Sequence, residues 1–582
     1  MKPELLKGSR SRILAAIVLL FGAVFVVRLF QLQILQHSHY VSLAQNEQVK
    51  KERLPAKRGE IYALSGATPV KLVLNETVYT VFVDPVVIQE NDEEEEVASL
   101  MKQVAGGNVR DGFEKLLAVP ESRYQIIATR VTRTQAEKIK EKKLLGIGFT
   151  AVSQRVYPEG TTAGQVLGFV NAEGVGNYGV EGYLNKDLSG TDGRLETVTD
   201  VSDVPLTIGD RNVREPARDG ENIVLSIDRN IQAKTEDVIG SHARKLGATL
   251  VSAVVMDPNT GKVMAMANTP SYDPAKYYTV TDASLFNNAV VSKPYEPGST
   301  IKTFTMGTAL EKSVARPGDT FYNTDHIKID GYTISNATLG MTGQISFQTA
   351  MDWSLNTGFV TLGMRMGDGV HVNQKARSIL YDYFYNHFRL GQRTGIELAN
   401  EAPGSVISPQ DAEGNEIRYA NMTFGQGMES TMIQIAAGFS ALVNGGTYYA
   451  PTIIDGKVAG GIYQQNSAQA PLQRNVVSEK TSKYLRDMIV KARRTLTWNG
   501  DKQGYQIGGK TGTAQVPVPG GYSDKETIAS YVGFGGQDRP QYVIMVSVYG
   551  KNKVFGGSTE AMPVFTDISN WMLDYLKIQP KG

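Results

Sequence analysis

Ser299 stands three residues before Lys302 in the run Pro297-Gly298-Ser299-Thr300-Ile301-Lys302, and this pair could carry out acyl transfer. A serine hydroxyl is a weak nucleophile near neutral pH until a base takes its proton. Pro297 and Gly298 open a helix, and Ile301, Phe304, Met306, Ala309 and Leu310 follow at spacings compatible with one. Residues three apart on a helix share a face, which sets Ser299 beside Lys302 in the first turn. There the positive end of the helix dipole opposes protonation of the lysine, and burial would do the same. A neutral Lys302 could accept the serine proton. Ser-x-x-Lys also arises often by chance as an ordinary helix start with a solvated lysine, so the pair needs partners.

Two downstream motifs supply them. Ser354-Leu355-Asn356 follows a segment, Ile345 to Trp353, that reads as helical. A second hydroxyl near the pair could relay a proton to a leaving group, and the Asn356 amide could hold Lys302 or a substrate amide. Taken alone, the same residues read as a helix cap or polar turn. Lys510-Thr511-Gly512-Thr513 lies in Gln506 to Gln515, read as a strand whose glycines mark close approach of a ligand or another backbone. Lys510 is expected to supply a fixed positive charge, and the Thr511 and Thr513 hydroxyls to grip a carboxylate. The backbone N–H groups of Ser299 and Thr513 could form an oxyanion hole. A glycine-weakened edge strand is the plainer alternative.

Gly504, Gly509, Lys510 and Thr511 also satisfy the spacing of a phosphate-binding loop. Such a loop must follow a buried strand and open a helix. The polar Asp501-Lys502-Gln503 precedes Gly504, and Val516, Pro517 and Pro519 follow, so the context fails.

The order Ser-x-x-Lys, Ser-x-Asn, Lys-Thr-Gly resembles that of penicillin-binding proteins and serine β-lactamases. Tyr295-Glu296-Pro297-Gly298-Ser299 resembles the family's helix-opening signature, with Ile301 where Phe or Met is more usual. Phe424-Gly425-Gln426-Gly427, Gln434, Asn444-Gly445-Gly446 and later Gly557, Pro563 and Phe565 extend the likeness from about Ile223 to the C-terminus. Upstream, Arg58-Gly59-Glu60-Ile61 resembles the first box of the class B pedestal, although Tyr62-Ala63-Leu64-Ser65-Gly66 departs from the usual Asp-Arg-Asn-Gly. Arg155-Val156-Tyr157-Pro158 with Gly168-Phe169, and Gly179-Val180-Glu181-Gly182, resemble two further boxes. As turn residues placed by folding needs, all three boxes are also explained.

The remaining sequence bounds the class. At 582 residues the chain has length for two or three domains. A net charge of +1, with no basic stripe interleaved with aromatics, argues against nucleic acid. There are no cysteines, hence no disulfides or thiol chemistry, and the six histidines (His37, His39, His242, His326, His371, His387) lack metal-ligand spacing beyond a weak His37-x-His39 pair. Ile13 to Val27 carries no charge and continues through Arg28 to Leu35, which reads as an uncleaved anchor rather than a signal peptide. Lys2, Lys7, Arg10 and Arg12 before it place the N-terminus in the cytoplasm. Val78 to Val83 reads as a buried strand, Asn91 to Glu96 as a solvated acidic loop, and Leu100 to Lys143 as largely helical. Pro216 to Asn222 is turn-rich. After it come a strand at Ile223 to Ile227, a helix at Ile231 to Leu246, and a hairpin, Val251 to Met256 and Val263 to Ala267, around Asp257-Pro258-Asn259-Thr260-Gly261-Lys262.

Strands at both ends of a helical middle predict an α+β fold. The expected plan is a cytoplasmic tail (1–12), a transmembrane anchor (13–35), an elongated pedestal or dimerisation-type domain (36–222) and a transpeptidase domain (223–582) of penicilloyl-transferase, serine β-lactamase-like fold. The resemblance implies a membrane-anchored peptidoglycan D,D-transpeptidase facing outward, with a division role favoured over elongation. Its catalytic residues would be Ser299, Lys302, Ser354, Asn356 and Lys510, with Thr511, Gly512 and Thr513 binding substrate. Its partners would be stem peptides, β-lactams as inhibitors, a membrane glycan polymerase and divisome or elongation proteins, with no cofactor, metal or nucleic acid. A D,D-carboxypeptidase, a β-lactamase and a non-catalytic penicillin-binding scaffold or sensor are the alternatives.

Overall fold

The computed structural model describes residues 9–40, 49–198, 213–497 and 500–581. Lys2 and Lys7, part of the basic tail, lie outside the described residues. The chain divides into two compact units: residues 1–57 with 190–220, and residues 58–189 with 221–582.

In the first unit a helix, Ser9–Phe30, continues as a π turn, Gln31–Leu35. The segment Arg12–Leu35 is 24 residues long and apolar enough to cross a membrane. Its side chains are exposed almost throughout, which suits a surface meant for lipid rather than a protein core. In the same unit Val49–Leu54 pairs antiparallel with Gly193–Val198, which pairs with Val213–Glu215.

The second unit is α+β, with two sheets that matter for the site. In a seven-stranded sheet, Asn222–Asp228 lies between Ile61–Ser65, to which it runs parallel, and Ile454–Ala459, to which it runs antiparallel. The sixteen-residue strand Thr68–Val83 continues this sheet and pairs with Ile147–Val156. It contains the expected Val78 to Val83 stretch, and Asp84 then caps the helix Pro85–Glu90. The acidic run does not stay a loop. A helix spans Glu94–Val104, with Glu94, Glu95 and Glu96 in its first turn, where the helix dipole favours them, while Val97, Leu100 and Met101 bury the opposite side. Between Leu100 and Lys143 the helices are interrupted by a strand, Gln125–Val131. Glu181, fully buried, accepts from Arg58 Nε at 2.8 Å and Arg155 Nε at 2.7 Å, so the three pedestal boxes converge on one ion cluster.

The other sheet is five-stranded and antiparallel, ordered Val263–Thr269, Leu250–Met256, Pro540–Tyr549, Gly521–Gly536, Gln506–Val518. The strands at 251–256 and 263–267 appear as the hairpin signal foretold, one residue or two longer. One face of this sheet is covered by Arg229–Leu246 and the C-terminal helix Met562–Tyr575, which share a core with it. The other faces the helical middle, where Lys302–Glu311 is buried on every side except its last residue. A helix buried all round cannot leave polar groups unmatched. Its threonines comply: Thr305 Oγ1 donates to Thr423 O at 2.7 Å and Thr308 Oγ1 to Phe304 O at 2.9 Å.

Candidate active site

Ser299 sits in a single 3-10 turn, Gly298–Ile301, that feeds directly into the Lys302–Glu311 helix. The tighter turn replaces the α-helical first turn that the spacing predicted. Gly298 has φ +56°, and a Cβ there would press within 2.8 Å of Thr513 O, so only glycine lets this turn lie against the edge strand. The strand reciprocates: a Cβ on Gly512 would meet Ser530 Oγ at 2.3 Å and Pro297 O at 2.9 Å. These two glycines bring the backbone of Ser299 and that of Thr513 side by side.

Lys302 is fully buried. Its Nζ donates to Ser354 O at 2.6 Å, Asn356 Oδ1 at 2.7 Å and Ser354 Oγ at 3.1 Å, and lies 5.4 Å from the Phe359 ring centre. No carboxylate pairs with it among the described residues. Burial, reinforced by the nearby Lys510 charge, holds its pKa well below the ordinary lysine range. The three acceptors match an ammonium, but a neutral amine still serves the two short contacts with two N–H groups and can accept from the Ser354 hydroxyl with its lone pair. The first and second motifs therefore meet at one nitrogen.

Ser354 is the corner residue. The predicted helix from Ile345 is a strand, Gly343–Ser346, followed by a shorter helix, Phe347–Asp352, capped by the Ser346 hydroxyl. Ser354 then adopts φ +56°, a left-handed conformation uncommon for a side-chain-bearing residue. This bend lets both the carbonyl and the hydroxyl of one residue reach Lys302. Asn356 is held in turn: its Nδ2 donates to Ser335 O at 2.8 Å. Next to it, Thr357 N donates to Asn336 Oδ1 at 3.0 Å and Thr357 Oγ1 to Asn323 Oδ1 at 2.7 Å. Asn323 and Asn336 were not singled out in the sequence, where nothing separates them from loop asparagines.

Lys510 lies in the strand Gln506–Val518, as expected, and no helix follows Thr511, which disposes of the phosphate-loop reading. Its glycines have steric causes. A Cβ at Gly509 would enter the Tyr531 ring at 2.5 Å, and one at Gly508 would meet Phe534 at 2.8 Å. Lys510 Nζ donates to Thr511 Oγ1 at 3.1 Å and Thr511 O at 3.3 Å. The expectation of a fixed positive charge needs correction. Burial pushes this lysine down to about 7, with Asp352 pulling weakly the other way, so its charge switches near neutral pH. Thr513 Oγ1 accepts from Gly557 N at 3.1 Å, which leaves its proton and one lone pair for a ligand.

The Phe424-Gly425-Gln426-Gly427 stretch backs the serine turn. Gly298 N donates to Gly425 O at 3.0 Å, and Tyr295 and Ser430 exchange backbone hydrogen bonds of 3.1 and 3.0 Å. Gly425 has φ +93°, and a Cβ there would lie 1.9 Å from Gly298 O. Glu296, quoted in the sequence only as part of a signature, proves to be buried, and its Oε1 accepts from Gly427 N at 2.8 Å.

Comparison with known proteins agrees with this arrangement. Residues 251–570 match the penicillin binding protein transpeptidase domain, and residues 53–225 the penicillin-binding protein dimerisation domain. The chain is 32% identical over 577 residues to stage V sporulation protein D of Bacillus subtilis, covering 97% of this chain and 86% of that one. It is 28% identical over 476 residues to the peptidoglycan D,D-transpeptidase FtsI of Escherichia coli, covering 80% and 75%. Among solved structures, penicillin binding protein 2X of Streptococcus thermophilus shares the fold, with a TM-score of 0.74 at 23% identity over 91% of this chain and 80% of that one. A transpeptidase-domain match over more than half the chain, a dimerisation-domain match before it, and a relative aligned almost end to end place this protein among the class B penicillin-binding proteins.

Proposed function

We propose that this protein cross-links peptidoglycan as a D,D-transpeptidase through an acyl-enzyme on Ser299. The observation that carries the proposal is Lys302: a lysine buried without a carboxylate partner, beside the serine turn, its nitrogen steered by Ser354 and Asn356. Ser299 Oγ attacks the penultimate D-Ala carbonyl of one stem peptide while Lys302 Nζ takes its proton. The N–H groups of Ser299 and Thr513 receive the charge that develops on the carbonyl oxygen. The C–N bond breaks, and terminal D-Ala leaves with a proton returned through Ser354 or Lys302. An amine of a second stem peptide attacks the ester, forms the cross-link and frees Ser299. Asn356 positions the donor amide, while Lys510, Thr511 and Thr513 orient its terminal carboxylate, with Gly512 keeping the strand close enough for this.

The tail carrying Arg10 and Arg12 faces the cytoplasm in this reading, and the catalytic unit lies outside the membrane. A glycan polymerase in the same membrane supplies strands to be cross-linked, at a septum in division or sporulation, as similarity to the sporulation relative supports. The test is covalent labelling by a penicillin probe. The parent chain should be labelled on Ser299 and Ser299→Ala should not; labelling that persists in the variant refutes the assignment. Slow release of the bound drug separates a transpeptidase from a β-lactamase.

A further inference from the structure

The Gln506–Val518 and Gly521–Gly536 strands form a hairpin whose outer end runs well past the lysine and threonines, mostly exposed from Gln515 to Glu526. One residue near its tip turns inward. Tyr522 Oη donates to Glu296 Oε1 at 3.0 Å, the same oxygen that accepts from Gly427 N at 2.8 Å. Glu296 lies three residues before Ser299. One carboxylate oxygen thus ties together the hairpin tip, the serine turn and the glycine loop behind it. The residue is 8% exposed, and its other oxygen, Oε2, is buried without a hydrogen-bond partner among the described residues. A buried carboxyl with one oxygen unmatched is costly, so its position is not explained by stability alone.

We infer that Glu296 and Tyr522 form a latch that holds the outer hairpin onto the serine turn and so keeps Ser299 and Thr513 at the spacing acylation requires. The inference rests on the proposed acyl-enzyme reading. The turn otherwise meets the hairpin strand by close backbone approach at Gly298 and Gly512, whose van der Waals contacts are individually weak and undirected. A directed bond from the hairpin's free end supplies the missing restraint. Neither residue is placed to touch the reacting atoms, so both are positioning residues.

The test uses the full-length chain in detergent and a chromogenic β-lactam, resolving the noncovalent constant from the acylation rate constant. Tyr522→Phe keeps the ring and loses only the donor; it should slow acylation about three- to tenfold, the equivalent of one hydrogen bond, with the noncovalent constant within about twofold of the parent. Glu296→Gln keeps an accepting oxygen and should stay close to the parent, whereas Glu296→Ala should be as slow as Tyr522→Phe or slower. Adding Tyr522→Phe to Glu296→Ala should cost nothing more, because the restraint is already gone. Additive losses, an unchanged acylation rate in Tyr522→Phe, or an effect confined to the noncovalent constant would each overturn the latch. If Glu296→Ala fails to fold, Tyr522→Phe decides alone, since Tyr522 is 41% exposed and its ring is retained. Absence of labelling on Ser299 in the parent chain would remove the underlying reading, and the latch with it.

Discussion

Lys510 provides the sharpest test of the site's electrostatics. Its pKa is lowered from 10.5 to about 7 by burial. A lysine is charged below its pKa and neutral above it, so a ligand carboxylate loses its cation as pH rises through 7. With a midpoint near 7, about 90% of Lys510 is charged at pH 6 and about 10% at pH 8. The second-order acylation constant for a carboxylate-bearing β-lactam should therefore fall about tenfold across that interval through this group alone. In the proposed mechanism Lys302 acts in its neutral form, so the raw profile mixes two limbs. Dividing the parent's profile by that of Lys510→Arg isolates the Lys510 limb over the range in which Lys302 is already neutral, because a guanidinium stays charged throughout. At saturating ligand the limb should move to higher pH, since the bound carboxylate favours the charged lysine. Asp352→Asn should move it lower, because the Asp352 carboxylate raises the Lys510 pKa. Stopped-flow acylation from pH 6 to 9 reads all three. A parent-to-variant ratio that stays flat over this range would show that Lys510 does not change its charge between pH 6 and 9, and a midpoint near 7 would be wrong.

Other consequences are simpler to read. Lys302→Arg places a group that cannot lose its proton in the base position, so acylation should drop at least about a hundredfold while the thermal transition persists, measured by probe labelling and calorimetry. Gly425→Ala forces a Cβ to within 1.9 Å of Gly298 O at φ +93° and should cost about 1–3 kcal/mol, seen as a lowered Tm together with slowed acylation. Arg493 is buried, with Nη2 donating to Asp501 at 2.6 Å and Nη1 to Tyr531 Oη at 2.6 Å. Arg493→Ala strands that carboxylate and should destabilise by about 3–5 kcal/mol in denaturant unfolding, without altering labelling in the chains that remain folded.

What could be read from the sequence was local. The serine–lysine spacing, the strand under Lys510 and the 257–262 hairpin all depend on residues within one element, and each stands near its expected place. What escaped depends on contacts between distant segments. Ser354's left-handed bend has no signature, since nothing about a serine announces φ +56°. The charge of Lys510 is decided by how deeply Gly508 and Gly509 let the strand sink against Tyr531 and Phe534, and burial is invisible in a run of letters. The acidic residues from Glu94 read as a loop because their charge is evident, while the apolar face that makes them a helix start is spread over the following turns.

The strand Asn222–Asp228 pairs on one side with Ile61–Ser65 and on the other with Ile454–Ala459. A fragment begun at Ile223 would therefore lose the Ile61–Ser65 partner strand and leave backbone donors and acceptors around Ile223, Val224 and Asp228 unpaired on a central strand, a template for joining other chains edge to edge. A catalytic fragment is accordingly expected to stay monomeric only when it begins upstream of Ile61 and keeps that edge covered. Residues from either side of the turn-rich boundary thus share one sheet, joined at Ile223–Ile61, Val224–Tyr62 and Asp228–Leu64.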